Sequence, residues 1–122
     1  MAASTPRVLV VDNHADVADL FREILALKGY IVRCAYDGSE ALALAREFHP
    51  DTVFLNLALP DVDGYAVAAA LREDPVPPHL VALSSLDDEA TRARSKAAGF
   101  AVHLRKPSSI DAIVDAVAGA HA

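Results

Sequence analysis

The 122-residue chain is 53% hydrophobic and 23% charged, with 17 Asp+Glu against 11 Lys+Arg for a formal net charge of −6. This is the size of one ordinary domain, expected to run from 1 to 122 with a core over about 7–118, and long enough to bury about two thirds of its unfolded-chain surface without a disulfide or metal. Cys34 is the only cysteine, which excludes a disulfide framework and a multi-cysteine zinc site. No apolar run nears the roughly 18–20 residues of a membrane span, and Met1 to Arg7 lacks the apolar stretch of a secretory signal, so a soluble cytoplasmic protein without membrane contact is expected. The acidity lies in residues 1–85, with 12 acids and 6 bases, while 86–122 carries 5 of each. Such a balance argues against direct nucleic-acid binding, which rests on Lys and Arg neutralising phosphates.

In chain order, apolar or β-branched runs alternate with helical patterns. Val8 to Val11 reads as a first strand, and Val17, Leu20, Phe21, Ile24 and Leu25 follow at i, i+3, i+4, i+7, i+8, stopped by Lys28-Gly29. Tyr30-Ile31-Val32 is a second strand. Asp37, with Glu40 three residues on, starts a helix carrying Ala41, Leu44, Ala45 and Phe48 and ended by His49-Pro50. Thr52 to Leu55 is a third strand, and Ala66 to Leu71 a weaker helix. Leu80 to Leu83 is a fourth strand, followed by a helix over Asp88 to Ala98 that Asp87, Asp88 and Glu89 open and Gly99 closes. Phe100-Ala101-Val102 is a fifth strand. Ile110, Ile113, Val114 and Val117 form a last helix with Ser108 and Asp111 as a cap pair. Runs so short and uniformly apolar suit strands covered on both faces.

Five such units predict an open parallel sheet with right-handed crossovers and helices on both faces, and are too few for a closed eight-stranded barrel. The binding crevice of such sheets lies beyond the carboxyl ends of the strands. Polar residues stand at those ends: Asp12, Asn13 and His14 after the first, Asn56 ending the third, Ser84 and Ser85 after the fourth, and His103, Arg105 and Lys106-Pro107 around the fifth. His14, His49, His79 and His121 show no metal-ligand spacing, and Asp61 and Asp63 with Gly64 read as turn residues. Cys34 reads as a small buried apolar residue in the second strand.

From about Arg7 to Ala118 the chain resembles the receiver domain of bacterial two-component response regulators, of the chemotaxis-receiver kind. The likeness is carried by Val-Leu-Val-Val-Asp12, Tyr36-Asp37-Gly38-Ser39-Glu40-Ala41-Leu42, Leu59-Pro60-Asp61-Val62-Asp63-Gly64-Tyr65 and Lys106-Pro107. It implies a flavodoxin-like (βα)5 three-layer sandwich of strand order 2-1-3-4-5. It also implies a signalling module rather than an enzyme, which takes a phosphoryl group from a histidine kinase. In the family an aspartate ending the third strand accepts that group, with Mg²⁺ held by it and by an acidic pair after the first strand. Matched position by position, Asp12 is the first acid of that pair and Asn13 stands in place of the second. Asn56 stands at the phosphoacceptor, and Ala58 would offer a backbone carbonyl to the metal. Ser84 matches the switch hydroxyl, Lys106 the phosphoryl-binding lysine, and His103 the switch aromatic.

Asn56 governs the functional expectation. A carboxamide oxygen is a poor nucleophile and cannot form an acyl phosphate, so the chain as written is not expected to be phosphorylated there. Three potential carboxylates have become Asp12 alone. At an effective dielectric of about 20 each lost charge near 4 Å removes roughly 8 kcal/mol of gross attraction to a divalent ion. Mg²⁺ at Asp12, Asn13, Asn56 and Ala58 is therefore expected to be weak or absent. Output would then come from protein contacts with a histidine kinase or another two-component protein, or with a second copy through the last two helices and the fifth strand. A second reading is a conventional receiver in which Asn56 is an engineered silencing substitution. A third, a flavodoxin-like enzyme or flavin carrier, meets a first turn, Asp12-Asn13-His14-Ala15-Asp16, whose two acids repel phosphate. Asp12 and Asn13 could also serve only as caps of the first helix.

Overall fold

A computed structural model describes residues 5–85, 88–105 and 110–120. Five strands alternate with five helices: β1 Arg7–Val11, α1 Ala15–Leu27, β2 Ile31–Ala35, α2 Gly38–Phe48, β3 Thr52–Asn56, α3 Gly64–Leu71, β4 His79–Ser84, α4 Glu89–Ala97, β5 Val102–Arg105 and α5 Ile110–Ala120. The sheet is parallel in the order β2-β1-β3-β4-β5, the flavodoxin-like arrangement expected. Side chains alternate across each strand, so β1 sends Leu9 and Val11 to one core with α2 and α3, and Val8 and Val10 to a second with α1 and α5. Phe54, fully buried, packs edge-to-face on Phe21 with ring centroids 5.5 Å apart.

The central strands are covered on both faces, as their composition requires, whereas the edge strands β2 and β5 are only partly covered. Two strands also begin later than their apolar runs suggest, for one shared reason. At the end of α1, Gly29 takes φ +93° and its N–H binds the Ala26 carbonyl, while the Tyr30 N–H binds that of Leu25. At the end of α4, Gly99 takes φ +99°, its N–H binds the Lys96 carbonyl, and the Phe100 N–H binds that of Ser95. In each Schellman closure the residue after the glycine spends its N–H on the helix and cannot start the ladder. β2 therefore starts at Ile31 and β5 at Val102, not at Tyr30 and Phe100.

Leu20, placed by its spacing on the buried stripe of α1, is 54% exposed. The arc against the sheet runs through Ala18, Phe21 and Leu25, and Leu20 lies about 100° back from Phe21, past its edge. Ile110 is likewise 57% exposed at the start of α5. The proposed α5 cap at Ser108, and Asp87, lie outside the described residues.

Asp61 and Asp63 do more than turn the chain. Asp63 caps α3, its carboxylate accepting the Tyr65 N–H at 2.8 Å. Asp61 reaches back to α2, accepting the N–H groups of Gly38 at 2.8 Å and Ser39 at 3.1 Å and the Ser39 hydroxyl at 3.1 Å. A carboxylate on these donors at a helix N-terminus is favoured in its charged form. The Gly38 hydrogen bond first, then those of Ser39, hold the Asp61 carboxyl below the ordinary carboxylate range. Gly64 starts α3 against the end of β3: a Cβ there would lie 2.7 Å from the Asn56 carbonyl oxygen and 2.7 Å from Leu57 Cα. Those obstacles are backbone and cannot swing aside.

Two expectations follow from this packing. Gly64→Ala lowers stability by about 1–3 kcal/mol in urea denaturation, the usual cost of overpacking; an unchanged midpoint would show that the β3–α3 junction can relax. Because the native Asp61 pKa lies below the unfolded value, its contribution is complete above the ordinary carboxylate pKa of about 4 and disappears as pH falls through the lowered native value. Asp61→Asn should therefore lower the melting temperature at neutral pH and lose less of it than the parent on acidification to about pH 3.

Candidate functional site

The carboxyl ends of β1, β3 and β4 bring together the residues on which the sequence centred. The Asp12 N–H binds the Ala35 carbonyl at 3.1 Å, and the Leu57 N–H binds that of Leu83 at 3.0 Å, so both strand ends are held by their neighbours. Asp12 has no exposed surface, Asn56 is 4% exposed and Ser84 7%. A cavity of about 680 Å³ opens over Asn56 and Ser84, bordered also by His14, Ala58, Tyr65 and Arg94.

The Asn56 carboxamide is the centre of the arrangement. Its Nδ2 donates to Asn13 Oδ1 at 2.8 Å, to the Ala58 carbonyl at 3.2 Å and to Asp12 Oδ1 at 3.3 Å, while its Oδ1 accepts the Ala58 N–H at 3.2 Å. The reverse orientation would set an amide oxygen against three other acceptors and aim the NH₂ at an N–H, so the orientation is fixed by its partners. The three oxygens that the amide nitrogen faces are the groups expected to bind a cation together with Asn56. The two amide hydrogens are shared among these three acceptors.

This donor set does not fit Mg²⁺ well. It offers one carboxylate, two carboxamides and a backbone carbonyl, and turns the nitrogen of one carboxamide to the centre. Mg²⁺ takes hard oxygen ligands and loses its waters reluctantly. Among the described residues no group of three or more His, Cys, Asp or Glu side chains is placed to hold a metal.

His14, rather than Asp12 or Asn13, occupies the N-cap position of α1, and its side chain makes no cap hydrogen bond. It turns instead to Asp12, whose Oδ1 accepts the His14 N–H at 2.9 Å and lies 3.1 Å from Nδ1. Sequence reasoning passed over this contact because it looked for metal-ligand spacing; an Asp and a His two apart after a buried strand was the available signal. Arg94 of α4, whose contacts here have no local sequence signal, lines the cavity with its guanidinium 3.9 Å over the Tyr65 ring and Nη2 3.6 Å from Asp63 Oδ2.

His103 sits half-buried on β5, its Nδ1 3.0 Å from the hydroxyl of Ser95 on α4. That hydroxyl donates to the Arg92 carbonyl at 3.0 Å, so its lone pair accepts from His103 Nδ1–H. Cys34 is half-buried rather than buried, its thiol against the Ala18 carbonyl at 3.4 Å. Lys106 and Pro107 lie outside the described residues.

A (βα)5 sheet of this order, with polar residues converging at the ends of β1, β3 and β4, defines a receiver-type signalling domain. A family model described as the response regulator receiver domain matches residues 8–118, and the chain belongs to that family, whose members act in two-component signalling. The transcriptional regulatory protein PrrA of Mycobacterium leprae is 42% identical over 107 residues, which cover 85% of this chain and 45% of PrrA. The chain thus spans about half the length of the transcriptional regulators it matches. The polar-differentiation response regulator DivK of Brucella ovis is 29% identical over 115 residues, covering 93% of this chain and 94% of DivK. In fold, the chain matches the receiver domain of the Francisella response regulator 1452 with a TM-score of 0.87 at 27% identity, over 96% of this chain and 98% of that one. It also matches the Vibrio cholerae chemotaxis protein CheY4 with a TM-score of 0.90 at 24% identity, over 96% and 99% of the two chains.

The amide-filled site makes a thermodynamic prediction. Asn56→Asp replaces the donor facing Asp12, Asn13 and Ala58 with an acceptor carrying charge, and should destabilise the metal-free protein by roughly 1–3 kcal/mol. Millimolar Mg²⁺ should restore the variant's melting temperature by mass action and leave the parent's unmoved. A parent melting temperature that rises with Mg²⁺ would refute this description of the site.

Proposed function

We propose that this chain is a receiver module whose signalling does not depend on an acyl phosphate at residue 56, and which works through protein contacts rather than catalysis. The observation that carries the reading is the Asn56 carboxamide, which lacks the anionic oxygen needed to attack phosphorus. Its NH₂ already satisfies the oxygens that a cation would otherwise have to bridge. Mg²⁺ is then weakly bound at Asp12, Asn13, Asn56 and Ala58, or not bound. In sequence Ser84 and Lys106 match the family's phosphoryl-binding positions and His103 its switch position, and output would run through the surface of α4, β5 and α5. That surface would meet a histidine kinase, another two-component protein or a second copy of the chain.

A second reading is favoured by one observation: the cavity over residue 56 persists, with buried Ser84 on its wall, as a phosphoryl pocket would require. In that reading the chain is a conventional receiver in which Asn56 silences an otherwise working site, as an engineered exchange would.

One experiment separates them. Parent and Asn56→Asp proteins are treated with acetyl phosphate and Mg²⁺, and hydroxylamine-labile acyl phosphate is measured by intact mass and peptide mapping at residue 56. Acyl phosphate on the variant alone supports the silenced receiver; none on either supports a pocket working without phosphorylation at this position. Acyl phosphate mapped to residue 56 of the parent would overturn both.

A further inference from the structure

The contact between His14 and Asp12 has no part in the reading above. The Asp12 side chain is fully buried, and its Oδ1 receives three groups: the His14 N–H at 2.9 Å, the Asn56 amide at 3.3 Å and His14 Nδ1 at 3.1 Å. One carboxylate oxygen therefore joins the imidazole to the amide that stands at the acceptor position. The imidazole is 65% exposed and lines the same cavity as Asn56 and Ser84. With Nδ1 bound to Asp12, the nitrogen left for an incoming electrophile is Nε2. A carboxylate on one ring nitrogen fixes the tautomer and orientation of an imidazole.

We propose that His14 Nε2 is a phosphoryl acceptor for donors with a P–N bond, with Asp12 as its positioning residue. The Nε2 lone pair attacks phosphorus in line with the leaving nitrogen, a new N–P bond forms and the donor's P–N bond breaks. Its electron pair leaves with the amine: with phosphoramidate, whose nitrogen already carries three hydrogens, ammonia departs. The product is an Nε2-phosphohistidine that keeps its Nδ1 proton toward the Asp12 carboxylate, which balances the imidazolium charge. No metal, oxidant or further reactant enters. One P–N bond replaces another, so the exchange is near energetic balance, and the same chemistry would serve a phosphohistidine on a partner protein. Asn56 remains outside the step, and failure here would leave the reading of Asn56 untouched.

The test treats the whole chain with phosphoramidate in EDTA and follows each histidine by peptide mapping. His49, exposed at the C-terminal end of α2 on its left-handed cap, is the internal comparison. His14 should be labelled at least about tenfold faster than His49, in a bond labile to acid and stable to alkali. His14→Gln should remove the fast label with the far-UV spectrum unchanged, while His49→Gln keeps it. Asp12→Asn, which retains an acceptor oxygen without the charge, should lower the His14 rate relative to His49 in the same molecule. That ratio would not move if Asp12 served only the fold. Equal labelling of the two histidines, a fast label surviving His14→Gln, or an alkali-labile adduct would each overturn the proposal.

Discussion

The carboxyl end of the sheet depends on how one fully buried carboxylate, Asp12, is kept in balance. A buried charge needs partners that replace the water it lost, and a cation is the strongest of them. Here Asp12 Oδ1 receives hydrogen bonds from the His14 backbone and the Asn56 amide and lies against the His14 ring. Asn13 and Ala58, which would otherwise turn acceptor oxygens on one another, share the same amide nitrogen. A carboxamide at residue 56 thus does two things at once. It lacks the anionic oxygen of a carboxylate, and it supplies donors to three acceptor oxygens. An alanine would do only the first.

That local balance extends outward through α4. Arg94 ties the helix to α3 and its entering loop through Tyr65 and Asp63, and Tyr65 in turn meets Phe100 edge-to-face at 6.2 Å. On the other side, Ser95 ties the helix to His103 of β5. At the far end the Arg72 guanidinium donates to the Ala98 carbonyl at 3.0 Å, closing the last turn. The helix itself is polar, with Ser95 its one buried residue, so these named contacts carry more of its placement than apolar burial does. Rotating His103 out would leave a buried Ser95 lone pair without its donor, which costs about a hydrogen bond. The surface of α4 and β5 is therefore held by polar contacts that need no phosphoryl group.

The architecture was legible because the two periodicities alternate five times, and because the central strands are uniformly apolar as burial on both faces demands. The converging residues Asp12, Asn56 and Ser84 followed from the rule that such sheets bind at their carboxyl ends. What was not legible has physical causes. Tyr30 and Phe100 look like strand residues, yet a glycine in positive φ just before each commits its N–H to the preceding helix. Leu20 fits a helical stripe by spacing alone, which cannot tell how wide the sheet-facing arc will be. The role of Asp61 depends on a contact 23 residues away at Gly38, and that of Arg94 on one with Asp63; neither separation leaves a local pattern.

The loop after β3 shows how such long-range contacts make the site independent of its chemistry. Ala58, whose carbonyl and N–H both bind the Asn56 side chain, lies in a segment anchored at each end. Upstream, the Leu57 N–H continues the β3–β4 ladder, and Leu57 receives the Gly64 N–H at 3.3 Å. Downstream, Asp61 holds the start of α2, and Asp63 caps α3. Gly64 lets α3 approach so closely that no Cβ fits between it and the Asn56 carbonyl. The loop cannot shift without breaking caps on two helices, so the Ala58 carbonyl stays aimed at position 56 whether a carboxylate with a cation or a carboxamide stands there. The position of the Ala58 carbonyl is thus set by the caps of two helices and by the β3–β4 ladder rather than by the side chain at residue 56.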